Sequence, residues 1–252
     1  MNIIIPQNIY TTFFALSLPD EEKEKVIIRE SSLIVKELEQ SKESVGIIPS
    51  LDLLRHPDIF VSRKFALSFD GALSNSYFYF MPEQNKLNKI LLHGDISAND
   101  LILCKILFPE QYGIEPELVL DNNPLDFTTN NYLISGLEND IFPVTNNGIS
   151  FSDHIAEVLD LPYVNFVLAS YGNENLKAFE EIITNISKII TSNLHDYLSK
   201  LRLNRKLSDF ITENSESVYF DFTANEQQAL DELLKLPYYH GIIDDIVEVK
   251  FV

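Results

Sequence analysis

In the first part of the chain, short apolar runs that end at proline alternate with helix-like stretches. Of all features of the sequence, this alternation most limits the folds that the chain can adopt. Residues 2–5 and 45–48 are two such runs, and each has the length of a buried strand. Between them, apolar residues recur at helical spacing, which predicts a helix over residues 31–41. Because strand, helix and strand in this order form a β-α-β unit, we predict an α/β protein with mixed, mostly parallel sheets.

The remainder of the chain continues this alternation. The Ser-x-x-Asp pattern at Ser97 and the Thr-x-x-Glu pattern at Thr223 are capping boxes, which predict helix starts. The helix that begins near Thr223 is expected to stop at Pro237, because proline disfavours a helical residue before it. Further strands are predicted over residues 60–70, 76–80, 89–92, 117–120, 132–135 and 162–169, and further helices over residues 97–108, 152–159 and 175–200.

The charge of the chain excludes two classes of partner. Among its 252 residues, 38 are acidic and 19 are basic, which gives a formal charge of -19. Such a surface repels nucleic-acid phosphates and anionic lipids unless it carries a strongly basic patch. Arg202, Arg205 and Lys206 form the one dense basic group, and acidic stretches flank it. We therefore expect neither a nucleic acid nor a membrane as a partner.

Residues that hold metals or cofactors are sparse. The single cysteine, Cys104, excludes an intramolecular disulfide and a zinc site built mainly on thiolates. The chain lacks the glycine-rich motifs of nucleotide binding and the Gly-x-Ser-x-Gly motif, so we expect no metal and no cofactor. No basic region precedes an apolar stretch near the start, and no run reaches the roughly 18 apolar residues of a membrane span. A cytoplasmic location is the resulting expectation.

Small polar residues at predicted helix starts and crossovers are the best candidates for a binding site. Ser50, residues 71–76, Ser97 and Asn99 each follow a predicted strand, where free backbone N–H groups are available. Helix N-termini of this kind favour anions, because the unpaired N–H groups and the helix dipole both attract negative charge. The alternative for each position is simple helix capping.

Four segments of the chain occur in an order that matches a known family. They are VGIIPS at residues 45–50, SFDG at 68–71, QYGIEPE at 111–117 and DLPYVNFVLA at 160–169. Through them the chain resembles chorismate dehydratase, a family of the futalosine route of menaquinone biosynthesis, over its whole length. The resemblance implies the type 2 periplasmic-binding-protein fold, with two lobes around a cleft, and elimination of the enolpyruvyl group of chorismate without a metal or an organic cofactor.

The resemblance also assigns site positions, and the chain departs from the family at several of them. Thr12 stands where the family has a site asparagine, and Asn75 takes the place of a serine. Asp100 lies in the first turn of a helix that opens with Ser-x-Thr-Ser in the family, and Leu137 replaces an aspartate. Carried over by position, the residues expected to line the cleft are Ser50, Gly71, Asn75, Ser97, Asn99 and Thr12.

Three functions follow from these observations. The first is a chorismate dehydratase-like enzyme that binds a small carboxylate between two lobes, with activity altered or lost at the changed positions. The second is a non-catalytic solute-binding protein for a different small molecule, and the third is a partner protein that has lost its pocket. We expect residues 1–70 and 165–252 to form one lobe and residues 71–164 the other. The expected partner is a small anionic or polar ligand, and the oligomeric state is left open.

Overall fold

The structure is a computed structural model that describes residues 1–84, 86–141 and 148–252. Its strands form two separate mixed sheets with helices packed around them. In chain order the strands are β1 (Ile3–Pro6), β2 (Val26–Arg29), β3 (Val45–Pro49), β4 (Phe60–Phe69), β5 (Ser76–Tyr79), β6 (Lys89–Gly94), β7 (Glu117–Leu120), β8 (Tyr132–Ser135), β9 (Ile149–Ser150), β10 (Tyr163–Ser170), β11 (Val218–Tyr219) and β12 (Lys250–Phe251).

The first sheet is built from both ends of the chain. Its strand order is β11-β4-β10-β3-β1-β2, with β12 also paired to β4. Strand β1, next to the edge strand β2, runs parallel to β2 and β3, as expected for β-α-β connections, whereas β10 lies antiparallel between β3 and β4. All eight residues of β10 are buried, because the strand has a neighbour on each edge and apolar side chains cover both of its faces.

The second sheet is formed by the middle of the chain, in the order β7-β6-β8-β5-β9. Strand β6 runs parallel to β7 and β8, and β5 runs antiparallel to β8 and β9. The chain leaves the first sheet after Phe69 and returns to it at Tyr163, and these two residues are paired partners in β4 and β10. The lobe boundaries near residues 70 and 165 stay a prediction.

Side-chain caps fix several helix starts. The predicted capping boxes are confirmed: the Ser97 N–H donates to Asp100 Oδ2 over 2.8 Å, and the Thr223 N–H donates to Glu226 Oε2 over 2.9 Å. Among the described helices, none has the length and apolar character needed to cross a membrane. In chain order the helices are α1 (Ile9–Ser17), α2 (Asp20–Lys23), α3 (Ile34–Gln40), α4 (Ala98–Leu107), α5 (Glu138–Ile141), α6 (Phe151–Leu159), α7 (Asn173–Ile182), α8 (Ile186–Leu201), α9 (Arg205–Glu213) and α10 (Ala224–Tyr239).

Two features of the fold differ from the sequence patterns. Helix α1 and strand β2 lie between the first two predicted strands, where the patterns indicated only one helix. Helix α1 is rich in aromatic and β-branched residues, but the Asn8 cap and burial of Phe13 and Phe14 outweigh that weak preference. Helix α10 continues past Pro237. A proline in the last turn removes only one backbone donor, and the His240 N–H still donates to the Leu236 carbonyl, which closes the helix.

Two hydrophobic cores cover the sheets. Successive residues of β10 alternate between them, with Phe166 and Leu168 in the first core and Val167 and Ala169 in the second. The first core also contains Tyr132 from the second sheet, so the two sheets are packed against each other at this point. The boundary between the sheets is therefore partly closed.

Candidate ligand-binding site

A cavity lies where the end of β1 faces the second sheet, and we call it the inter-sheet cavity. With the solvent-open space at its mouth it measures about 330 Å3, and it has room for only about one water-sized molecule. Residues from the β1–α1 turn, the connection into β5, the turn after β8 and helix α9 surround it. These lining residues are Asn8, Ile9, Tyr10, Leu73, Ser74, Asn75, Tyr77, Gly136, Asn139, Leu207, Phe210 and Ile211.

Asn8 supplies a hydrogen-bond donor to this cavity. As the N-cap of α1, its Oδ1 accepts from the Thr11 N–H over 2.8 Å, which leaves Nδ2 on the other side of the amide. The side chain is 3% exposed, and Nδ2 has no hydrogen-bond partner. A buried donor without a partner costs about 1–3 kcal/mol, so this atom has a strong preference for an acceptor placed in the cavity.

Asn75 supplies an acceptor from the opposite sheet. Its side chain is 4% exposed, and Oδ1 has no hydrogen-bond partner. The backbone is held firmly, because the Asn75 carbonyl accepts from the Gly136 N–H over 2.9 Å and from Asn139 Nδ2 over 3.1 Å. One unpartnered donor and one unpartnered acceptor thus line the same small cavity from two different sheets.

The rest of the cavity wall is uncharged. Apolar side chains of Leu207, Phe210 and Ile211 on α9 form one side of the cavity. Tyr10 reaches across to the connection between the sheets, where its hydroxyl donates to the Ser74 carbonyl over 3.4 Å. Because no lining residue carries a charge, the cavity offers hydrogen bonds and apolar contact but no ion pair.

Gly136 allows the two sheets to approach each other beside the cavity. Its φ of 78° lies in the left-handed region that favours glycine. A Cβ at this position would come within 3.0 Å of Asp95 Cβ and 3.2 Å of the Gln7 carbonyl oxygen, which belongs to the turn after β1. Any larger residue would push the sheets apart.

Of the six residues predicted to contact a ligand, the structure places Asn75 in the lining of the inter-sheet cavity. Ser50 and Asn99 are fully buried and bonded within the fold. Ser50 Oγ donates to the Val164 carbonyl over 2.7 Å, and Asn99 Oδ1 accepts from the Leu51 N–H over 2.8 Å. Asn99 Nδ2 also donates to the Asn165 carbonyl over 2.7 Å, so this side chain ties helix α4 to the first sheet.

The remaining three predicted residues lie outside the lining of the inter-sheet cavity. Ser97 caps α4, Thr12 Oγ1 donates to the Asn8 carbonyl over 2.8 Å, and the Gly71 carbonyl accepts from Ser150 Oγ over 2.9 Å. Ligand contacts by Ser50, Gly71, Ser97, Asn99 and Thr12 stay predictions. Sequence reasoning missed Asn8, and its position directly after β1 and before an apolar helix was the available signal.

Asp100 lies in the first turn of α4, and its side chain faces a cluster of serines. Its carboxylate is 2% exposed and accepts from the hydroxyls of Ser97 and Ser76 over 2.6 Å each and from the Ser135 hydroxyl over 3.1 Å. Burial raises the pKa of Asp100, and the hydrogen bonds from the serines counteract part of that rise. All of these contacts lie within the second sheet and its first helix, so the carboxylate stabilises that unit locally.

A second space, which we call the acidic opening, adjoins the inter-sheet cavity and contains about 1140 Å3 of empty space. Ser31 and Asp95 connect the sheets beside it: the Ser31 N–H donates to Asp95 Oδ1 over 2.7 Å and Ser31 Oγ donates to Oδ2 over 2.6 Å. Burial raises the pKa of Asp95 to about 6. The lining residues are Gln7, Glu30, Ser32, His93, Gly94, Asp95, Ile96, Leu120, Asn122, Leu137 and Glu138.

Metal ligands do not cluster in the part of the chain that the structure describes: it brings no group of three or more histidine, cysteine or carboxylate side chains into a metal-binding arrangement. His93, the histidine at the end of β6, has Nδ1 within 2.8 Å of the Asp121 carbonyl. This contact orients the ring at the wall of the acidic opening.

Comparison with solved structures decides the fold. No protein-family model matches the sequence, and no curated protein matches it. Protein AF1704 from Archaeoglobus fulgidus is similar over 96% of this chain and 98% of its own, with a TM-score of 0.69 and 14% identity. A Candida albicans protein, CA3427, described as having the generic periplasmic binding protein fold, covers 97% of this chain and 91% of its own, with a TM-score of 0.56 and 10% identity. This chain has the two-lobed periplasmic-binding-protein fold.

A third similar structure is the periplasmic aliphatic sulphonate binding protein SsuA from Escherichia coli. It matches 98% of this chain and 90% of its own, with a TM-score of 0.62 and 10% identity. At such low identities the likeness carries the fold and leaves the ligand of this chain open. The predicted α/β fold class with two lobes is confirmed.

Proposed function

We propose that this protein binds one small molecule in the inter-sheet cavity, between its two lobes. The observation that carries this proposal is the pair of buried, unpartnered side-chain atoms, Asn8 Nδ2 and Asn75 Oδ1, which line the cavity from opposite lobes. Buried polar groups in folded proteins almost always have partners, so two unpartnered atoms in one cavity indicate a site for a polar molecule. The fold supports the proposal, because SsuA, which shares it, is described as a binding protein.

Ligand entry requires the lobes to separate, since the present space is too narrow for more than a water-sized molecule. Several contacts cross between the lobes. The Tyr10 hydroxyl donates to the Ser74 carbonyl, the Ser31 donors bond to Asp95, and the Asn99 side chain bonds to Leu51 and Asn165. Opening the cavity has to break hydrogen bonds of this kind and to separate apolar side chains that the two sheets share in both cores. We therefore infer that this structure is the closed form of the protein.

Native mass spectrometry of the purified full chain tests this proposal. We expect a small molecule to accompany the wild type, and we expect Asn75→Leu to lose it, because leucine has a similar volume but no acceptor. The matched control is Asn225→Leu, the same replacement at an exposed position in the first turn of α10, a helix outside the lining of the cavity. A wild type that neither carries a ligand nor acquires one from a metabolite extract would contradict the proposal.

A chorismate dehydratase-like activity is the second candidate function, and the resemblance of residues 45–50 and 160–169 favours it. The uncharged cavity opposes it, because chorismate is a dianion and none of the lining residues is a cation to pair with it. If the protein has this activity, we expect it to act in the cytoplasm and in the menaquinone route, and both points stay predictions.

Chorismate consumption by the purified protein distinguishes the two candidates. We expect turnover well below about one per second, the low end of working enzymes. Asp100→Ser should restore little activity, because the Asp100 carboxylate faces a serine cluster rather than the cavity. Turnover near one per second or faster would place the enzyme first and solute binding second.

A further inference from the structure

We infer that the inter-sheet cavity selects a neutral amide-type group, with a carbonyl oxygen and an N–H side by side, over a carboxylate or an amidinium. The inference rests on the proposed function and specifies the ligand class of the same site. It follows from the two unpartnered atoms, Asn8 Nδ2 and Asn75 Oδ1, and from the charge of the residues around them.

The Asn8 side of the cavity requires an acceptor from the ligand. The orientation of the amide is fixed, because its Oδ1 is used by the Thr11 N–H at the start of α1, so Nδ2 is the atom that remains for a ligand. The N-terminus of α1 lies at the same wall, and its partial positive charge favours an oxygen there. A carbonyl oxygen satisfies both features.

The Asn75 side requires a donor. Its Oδ1 is buried without a partner and can pair only with an N–H or an O–H group. A carboxylate has no proton to offer this atom, whereas an amidinium offers protons but has no acceptor for Asn8 Nδ2. A group that carries one donor and one acceptor is therefore the match for both asparagines.

The surroundings favour a ligand without net charge. The inter-sheet cavity has no charged lining residue, and α9 covers it with Leu207, Phe210 and Ile211, so an ion inside would lose its hydration without gaining a counter-ion. Glu30, Asp95 and Glu138 stand at the neighbouring acidic opening and repel an anion that approaches from that side.

An isosteric series of probes tests the inference: acetamide, acetate and acetamidinium share one shape and differ in charge. Titration of the full chain by ligand-observed NMR should give a Kd for acetamide at least about tenfold lower than for either ion. Asn75→Leu should raise the acetamide Kd about tenfold. Asn8→Ser should do the same, because the serine hydroxyl keeps the helix cap but puts no amide nitrogen at the position of Asn8 Nδ2. Two controls outside the cavity lining should leave the affinity unchanged: Asn225→Leu at an exposed position of α10, and Thr223→Ser at the cap of the same helix.

Asn8→Asp reverses the preference and supplies an independent arm. Aspartate keeps the shape and the capping oxygen but replaces the donor by a second acceptor, so acetamidinium should bind more tightly than acetamide. Equal or tighter binding of acetate by the wild type would overturn the inference, as would acetamide binding that ignores Asn8 and Asn75.

The outcome for the inference is separable from that for the proposed function. One outcome is that a ligand accompanies the wild type and is lost in Asn75→Leu, but acetamide fails to bind. In that case the inferred ligand class is wrong, and the proposed binding site is retained. If no probe and no extract component binds, and a crystal structure shows a single water between Asn8 Nδ2 and Asn75 Oδ1, both the inference and the proposed function are overturned.

Discussion

Replacing Asp100 with alanine should lower the free energy of unfolding by about 1–3 kcal/mol, the cost of leaving buried hydrogen-bond donors without their acceptor. The carboxylate is the shared acceptor of three serine hydroxyls and of the Ser97 backbone N–H. Without it, these buried donors must find other partners or stay unpaired. Urea-induced unfolding followed by circular dichroism would measure the loss.

Asp153→Ala is the matched control for this change. Asp153 occupies the same third helical position after a capping serine, with its backbone N–H donating to Ser150 Oγ over 3.1 Å, but its side chain is exposed. Its removal should cost less than about 1 kcal/mol, because only an interaction with the helix dipole is lost. Similar losses at both positions would show that the serine cluster contributes little and that capping alone matters.

Asp52→Asn should make the protein more stable above pH 7. Asp52 lies in the short 3₁₀ helix Ser50–Leu54, where burial raises the pKa of its carboxyl from 3.8 to about 7, although the charge of Arg55 opposes the rise. The unfolded chain loses this proton near pH 3.8 and the folded protein near pH 7. Between these values the folded state binds more protons, so the free energy of unfolding falls as the pH rises and then levels off.

Unfolding curves of wild type and Asp52→Asn at pH 4 and pH 8 would test this effect. A pKa shift corresponds to about 1.4 kcal/mol per unit. The free energy of unfolding of Asp52→Asn, measured relative to that of the wild type, should therefore be higher at pH 8 than at pH 4 by on the order of a few kcal/mol. Asp58→Asn is the control with the opposite sign, because a hydrogen bond from Lys250 lowers the pKa of Asp58. A constant difference between Asp52→Asn and wild type at both pH values would contradict the prediction.

The sequence predicted the fold where local patterns and tertiary packing agree. Strand β10 and the capping boxes at Ser97 and Thr223 are examples, because each depends on neighbouring residues alone. Helix α1 escaped prediction because its aromatic residues read equally well as a strand, and only packing against the first sheet decides between them. The edge strand β2, four half-exposed residues long, has too weak a pattern to be recognised.

The candidate site was harder to predict, because its residues come together only in three dimensions. Asn75 was found from its place in a crossover, whereas Asn8 depends on the unpredicted helix α1. Asn99 shows the opposite case: a small polar residue at a helix start, a position that favours ligand binding in the sequence, is bonded to Leu51 and Asn165 inside the fold. Sequence patterns cannot tell whether such a side chain has an internal partner.

The pairing of Phe69 with Tyr163 determines how the lobes can move. These residues lie directly opposite each other in the antiparallel strands β4 and β10, where a hairpin turn would otherwise connect the strands. The second sheet is inserted at this position, and its two connections to the first sheet are about 5 Å apart. A rigid sheet attached at one corner rotates about that corner, and each residue moves in proportion to its distance from the attachment. Asn75 lies near the attachment, whereas Asp95 follows β6, two strand spacings or about 10 Å farther across the sheet. The Ser31–Asp95 contact would therefore break early in the swing, while the asparagine pair stays close enough to meet an arriving ligand.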